Sequence, residues 1–162
     1  MRPTRLLAFT LLAPLASFAQ TPTIVSADLS RGVTQPPTSA ALANQATAIA
    51  VNPAGLSYVG GVELDYLHER NNNQLETGDG VYLADTFFQA VGAGVSLEWL
   101  RGQGPSRRRT TWGLSLGGQA FSIGGSYSLF ASPGAPELSP LKSWAVGLEG
   151  RPSQYLAYGL VV

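Results

Sequence analysis

The chain has 162 residues, 12% of them charged and 44% hydrophobic, with 19 glycines, no cysteine and no net charge at neutral pH. That length suits one ordinary domain rather than a large two-domain enzyme, and the apolar content excludes disorder throughout. The absence of a basic face argues against nucleic acid as a partner, and the missing cysteine excludes disulfides, cysteine-held metals and a lipidated leader cysteine.

Arg2 and Arg5 precede an uncharged, mostly apolar stretch over residues 6–18, and Ser17 and Ala19 occupy the small-residue positions before a cleavage point. This is the three-part form of a secretory signal peptide over residues 1–19. The apolar stretch is too short for a stable membrane span. Removal of Arg2 and Arg5 leaves eight basic residues against ten acidic ones, so the exported chain carries a charge of −2.

Residues 20–60 are rich in Thr, Ser, Ala and Pro and nearly free of aromatics. Pro36-Pro37 breaks regular structure. A short helix is expected over Ala40 to Ala50, with Leu42, Ala46 and Ile49 on one face and Asn52-Pro53 ending it.

From Val62 the pattern changes to period two. Val62, Leu64 and Tyr66 alternate with Glu63 and Asp65; Val91 to Trp99, Trp112 to Leu116, Phe121 to Leu129, Trp144 to Leu148 and Leu156 to Val162 alternate with Gly, Ser, Ala or Glu. Such alternation marks strands with two unlike faces. Seven are expected, over 62–69, 80–86, 90–100, 110–117, 121–131, 142–150 and 155–162, with a break near Phe87 to Gln89 and with short and long connections taking turns.

The fold class read from this is all-β: an antiparallel up-and-down transmembrane β-barrel, partial at about seven strands, over residues 61–162, behind a compact N-terminal segment with one small helix. Strands of this length, apolar outward and small or polar inward, with short turns at one end and long loops at the other, suit an outer-membrane barrel. Glu63, Asp65, Glu98 and Glu149 then face the lumen. Trp99, Trp112 and Trp144 fall beside the long loops, where an interfacial aromatic girdle sits. The alternative is a secreted soluble β-sandwich whose core holds the tryptophans. Arg107-Arg108-Arg109 is placed in an outer loop, either solvated or against lipopolysaccharide phosphates.

Asn52-Pro53-Ala54-Gly55-Leu56, behind an Ala-rich run and ahead of the first strand in an exported chain, resembles the FadL-type outer-membrane transport family. The resemblance implies that residues 20–60 form a hatch inside the barrel, with Asn52, Pro53, Ala54, Gly55 and Leu56 as hatch residues. It also implies passage or binding of a small, possibly hydrophobic molecule. Gly150-Arg151-Pro152-Ser153-Gln154-Tyr155-Leu156 is similar to the tight periplasmic turns of such barrels. A narrower resemblance covers Arg31-Gly32-Val33, Gln35 to Ser39, NPAGL and Tyr66 to Asn71. This set is similar to the N-terminal barrel-like region of long myxobacterial signal peptide peptidase SppA proteins, which implies a Ser–Lys protease region only if the chain continues beyond Val162.

No catalytic constellation is read within these residues, and no metal or cofactor is expected. Gly113-Leu114-Ser115-Leu116-Gly117 matches G-x-S-x-G but lies in an alternating strand, without the strand–turn–helix elbow that exposes a nucleophile. Ser139-Pro140-Leu141-Lys142 matches S-x-x-K, but Lys142 is the one lysine and the segment reads as a loop. His68 is the one histidine, so a multi-histidine metal site is impossible. The chain reads as ending mid-pattern, since barrels have an even strand number. The expected partners are therefore outer-membrane lipid and the missing strands, from the rest of a longer chain or from an oligomer.

Overall fold

A computed structural model describes residues 32–71, 76–102, 105–118, 120–133, 141–153 and 155–162. The signal peptide, Arg31 and Ser139 lie outside them. Seven strands follow in order: β1 (Glu63–Asn71), β2 (Glu76–Phe87), β3 (Val91–Arg101), β4 (Arg107–Gly117), β5 (Phe121–Ala131), β6 (Lys142–Ser153) and β7 (Leu156–Val161). Each pairs antiparallel with the next, so the sheet is a pure up-and-down meander. The strand ends Phe87/Val91, Gly117/Phe121 and Ser153/Leu156, joined by short connections, gather at one end; the ends Asn71/Glu76, Arg101/Arg107 and Ala131/Lys142, joined by longer ones, gather at the other.

The break expected near Phe87 to Gln89 is a tight β-turn with Phe88 and Gln89 at its centre, inside the three-residue connection between β2 and β3. Phe88 and Gln89 both have positive φ, at 55° and 54°, and the Ala90 N–H donates to the Phe87 carbonyl at 3.1 Å. This is the backbone twist that tight hairpin turns favour.

Several boundaries differ from the sequence reading. β1 runs on to Asn71 and β6 to Ser153, so Gly150 to Ser153, read as part of a tight turn, is strand. β2 begins at Glu76, earlier than expected, and β4 begins at Arg107, so the arginine triplet is strand and not loop. The ladder continues through the triplet because its charges are accommodated on opposite faces: Arg109 turns inward onto Glu98, while the Arg108 guanidinium lies over the outward Trp99 ring at 5.7 Å. The helix expected over 40–50 is shortened to α1 (Ala48–Val51). A separate 3₁₀ helix, Pro53–Tyr58, follows it, started by Asn52, whose side chain accepts from the Ala54 N–H, and by Pro53 at the first position.

This 3₁₀ helix touches β2, β3, β4, β5 and β6. Flat, those five strands would span roughly 19 Å at about 4.8 Å per neighbour. The sheet curls around the helix instead, as a half-barrel. The apolar core lies inside that curl and is small: Ala43, Ala46, Ala48, Ile49, Leu56 and Val59 from the N-terminal segment against Tyr82 and Ala84 from β2.

The two faces of the sheet are inverted relative to a soluble domain. Outward positions hold Val62, Leu64, Leu114, Leu116, Trp144 and Val146, all exposed; Leu114 is 65% and Trp144 75% open. Inward positions hold Ser96, Ser115, Ser122, Ser126 and Ser128 with Glu98 and Glu149, all buried. Among the described residues no helix is long and apolar enough to cross a membrane, which says nothing of strands.

Candidate functional site

The inner face and the N-terminal segment fit as groove and plug, and glycine makes the fit possible. A Cβ at Gly92 would collide with the Leu56 backbone, and one at Gly147 with the Asn52 Oδ1. At Gly124 it would lie 2.5 Å from the Ala54 nitrogen, and at Gly113 2.9 Å from both Ile49 and Leu56 side chains. These glycines sit on β3, β4, β5 and β6, so the NPAGL segment lies in a trough of removed side chains running across four strands.

Asn52 fastens the plug at its centre and is fully buried. Its Nδ2 donates to the Ala40 carbonyl at 2.6 Å and the Leu148 carbonyl of β6 at 3.1 Å. Its Oδ1 accepts from the Ala54 N–H at 3.2 Å. An extended backbone at Asn52 turns this side chain outward, and Pro53 behind it holds the reversal. Ser122 of β5 adds a second fastening, donating to the Ala54 carbonyl at 2.8 Å and accepting from Ser57 at 2.7 Å. Thr86 of β2 donates to the Leu56 carbonyl at 2.8 Å.

Two arginine–glutamate pairs hold the plug nearer its two ends. Toward the long loops, Arg109 gives two N–H groups to one oxygen of Glu98, at 2.9 and 2.6 Å. The second oxygen of Glu98 thereby stays available and accepts the Val33 N–H at 2.7 Å. Toward the short turns, Arg151 gives two N–H groups to one oxygen of Glu149, at 2.9 and 2.6 Å. The Arg151 guanidinium lies over the Tyr58 ring at 4.5 Å. Burial, and then the Glu149 charge, push the Tyr58 phenol above its usual range, so it stays protonated and can donate. Both carboxylates are buried; Glu98 has both oxygens hydrogen-bonded, whereas the second oxygen of Glu149 has no partner among the described residues, so Arg151 offsets only part of the desolvation there.

The structure brings Asn52, Pro53, Ala54, Gly55 and Leu56 together with Glu98 and Glu149 on the inner face. Glu63 and Asp65 share that face on β1 but are only half-buried, and Glu63 receives a backbone hydrogen bond from Ala46. The tryptophans all face outward, but they do not form one set. Trp112 and Trp144 flank Tyr127 across three strands, with ring centroids 6.3 and 4.3 Å from it. Trp112 is sixth of eleven residues in β4, since that strand starts early; Trp99 stands apart with Arg108. His68 is outward too, its Nδ1 2.9 Å from Asp79.

The sequence reading missed Arg109, Arg151, Tyr58 and Glu69. The alternation carried a signal for three of them. Arg109 is in phase with the inward Thr111, Gly113 and Ser115, and Arg151 with Glu149. Glu69 is in phase with Glu63 and Asp65, and it accepts the Thr34 N–H at 2.9 Å.

Chemically the arrangement holds a plug. Ser115 is 2% exposed, lies mid-strand, and its Oγ has no partner among the described residues, so the G-x-S-x-G match has no base beside it. Among the described residues no three His, Asp or Glu converge on a point. A groove of about 480 Å³ opens beside the plug at the short-turn end, lined by Leu42, Arg151, Ser153, Tyr155, Leu156 and Ala157. Compared with protein-family models, characterised proteins and solved structures, the chain matches none.

Proposed function

We propose that this chain supplies one side of an outer-membrane β-barrel with a plugged lumen, and that the barrel binds or passes a small molecule of hydrophobic character. The observation that carries the proposal is the inverted sheet. A row of Leu, Val, Trp and Tyr covers the convex face, while serine, glycine and charge pairs line the concave one. Water would favour the opposite arrangement; a hydrocarbon exterior favours this one. Strand length agrees: β3, β4 and β5 have eleven residues each, against roughly 9–11 for a tilted membrane strand.

Among the described residues β1 and β7 each have one neighbour in the sheet. Unpaired backbone N–H and C=O groups are costly in lipid, so closure calls for further strands on both edges, from more of the same chain or from another copy. The seat of the NPAGL segment inside the curl supports reading the plug as the hatch that the FadL resemblance implies. Passage then requires the plug to slide or open along glycine and serine, and the groove beside Leu42 is the proposed mouth. The SppA-like resemblance is compatible with the same barrel; it adds a protease only beyond Val162.

The test is insertion. The detergent-refolded chain, mixed with phosphatidylcholine vesicles, should stay with them through alkaline carbonate and urea washes. A monomer that stays soluble without detergent and ignores vesicles would sink the proposal and favour a secreted sandwich.

A further inference from the structure

We infer that the long-loop rim of the convex face binds the phosphate groups of a phosphorylated saccharide lipid of the lipid A type; this deepens the outer-membrane reading and rests on it. The register places Arg70, Thr77 and Arg101 in one cross-strand row. The next row holds His68, Asp79, Trp99 and Arg108. Lys142 stands opposite Leu129, one row further along the tilted sheet.

Arg70, Arg101, Arg108 and Lys142 are all exposed, and each lies within two positions of its strand's loop end. They are in phase with the outward apolar residues, whereas Arg109 and Arg151 turn inward to Glu98 and Glu149. The four outward cations of the strands therefore all stand at one end. At the short-turn end the large apolar side chains Phe87, Phe88, Phe121, Tyr155 and Leu156 are exposed, beside uncharged Gln89 and Ser153. A charge meant only for solubility has no reason to collect at one end.

Just below the cations lies the apolar row Leu64, Leu83, Val95, Trp112, Tyr127 and Trp144, which puts the guanidiniums at head-group height. In the two arginine rows the outward carboxylate is Asp79, which accepts from the Tyr66 hydroxyl at 2.7 Å and lies 2.9 Å from His68. Arg70 and Arg101 are two strands apart, roughly 10 Å by strand spacing. Cations fixed on a sheet at that separation suit two phosphates carried on one rigid saccharide, and guanidiniums bind phosphate oxygens in pairs. The long loops of such barrels face outward, where this lipid forms the outer leaflet.

The experiment measures binding of lipid A to the full chain in neutral detergent micelles, by tryptophan fluorescence. Dephosphorylated lipid A and phosphatidylglycerol at matched charge are the comparison lipids. Insertion into phosphatidylcholine vesicles is followed in parallel. Each surface cation near an anionic head group is worth about fivefold in affinity. Arg101→Ser with Arg108→Ser should weaken lipid A binding about 25-fold, and Arg101→Ser with Lys142→Ser, which leaves the Trp99 contact intact, similarly. Both should insert into phosphatidylcholine like the parent chain. Equal binding of dephosphorylated lipid A, equal binding of phosphatidylglycerol, or unweakened binding by both variants would overturn the inference while leaving the barrel standing. Failure of the parent chain to insert into phosphatidylcholine would overturn the barrel and this inference with it.

Discussion

Replacing Asn52 with alanine removes the central fastening of the plug. Three hydrogen bonds vanish: from Nδ2 to the Ala40 and Leu148 carbonyls, and from the Ala54 N–H to Oδ1. The Leu148 carbonyl keeps its ladder bond to Leu160, but the Ala40 carbonyl and the Ala54 N–H lose this partner, and each buried polar group left unsatisfied costs about 1–3 kcal/mol. Partial relaxation and overlap of these terms give a loss of about 3–5 kcal/mol for the docked plug. Asn52→Asp sharpens the reasoning. It keeps an acceptor for Ala54 but turns a carboxylate oxygen toward two carbonyls, so it should be at least as damaging as alanine. The assay is limited proteolysis of the detergent-folded chain, timed at the plug, alongside urea unfolding followed by tryptophan fluorescence. The plug should become cleavable in both variants while the strand region stays protected. An Asn52→Ala chain within about 1 kcal/mol of the parent, or an Asn52→Asp chain that resists cleavage like the parent, would refute the role given to this side chain.

Three further outcomes follow from the geometry. Gly113→Leu would push side-chain atoms into Ile49 and Leu56, which already lie 2.9 Å from an added Cβ; overpacking of about 1–3 kcal/mol should undock the plug, seen as faster cleavage near Leu56. Arg109→Leu leaves the buried Glu98 without its guanidinium, a loss of about 3–5 kcal/mol; adding Glu98→Leu should recover part of that loss, which a double-mutant cycle in urea reads directly. Phe88→Asn with Gln89→Gly should stabilise the chain by about 1–2 kcal/mol, because both positions have positive φ, which suits Asn-Gly and strains bulkier residues; an unchanged urea midpoint would contradict it.

The strands were legible because alternation is local: a serine or glycine between two large apolar residues marks a face without knowledge of its neighbours. The turn at Phe88 and Gln89 could be placed only as a break, since neither residue favours positive φ and the hairpin forms against their propensity. The arginine triplet was misplaced for a different reason. Three adjacent charges read as loop until partners are known, and Glu98 and Trp99 are supplied by the neighbouring strand. Alternation had already split the triplet into inward Arg109 and outward Arg108, had it been carried across the charge run. The 3₁₀ helix was hidden because Asn52-Pro53 reads as the end of the preceding helix and Gly55 as a loop residue; packing in the glycine trough of β3 to β6 overrides the low propensity of Gly55. The Asn52 network spans ninety-six positions to Leu148, and no spacing rule reaches that far.

The central claim is that lipid covers the convex face. Its most direct test uses chains retaining Trp112 or Trp144 as the sole tryptophan, inserted into vesicles whose acyl chains carry bromine. Both rings are open, Trp112 at 45% and Trp144 at 75%, so both should be strongly quenched by the brominated chains and weakly by aqueous acrylamide. Strong acrylamide quenching with none from bromine would put the face in water. Shielding from both quenchers would put it against another protein sheet, and either result contradicts the account.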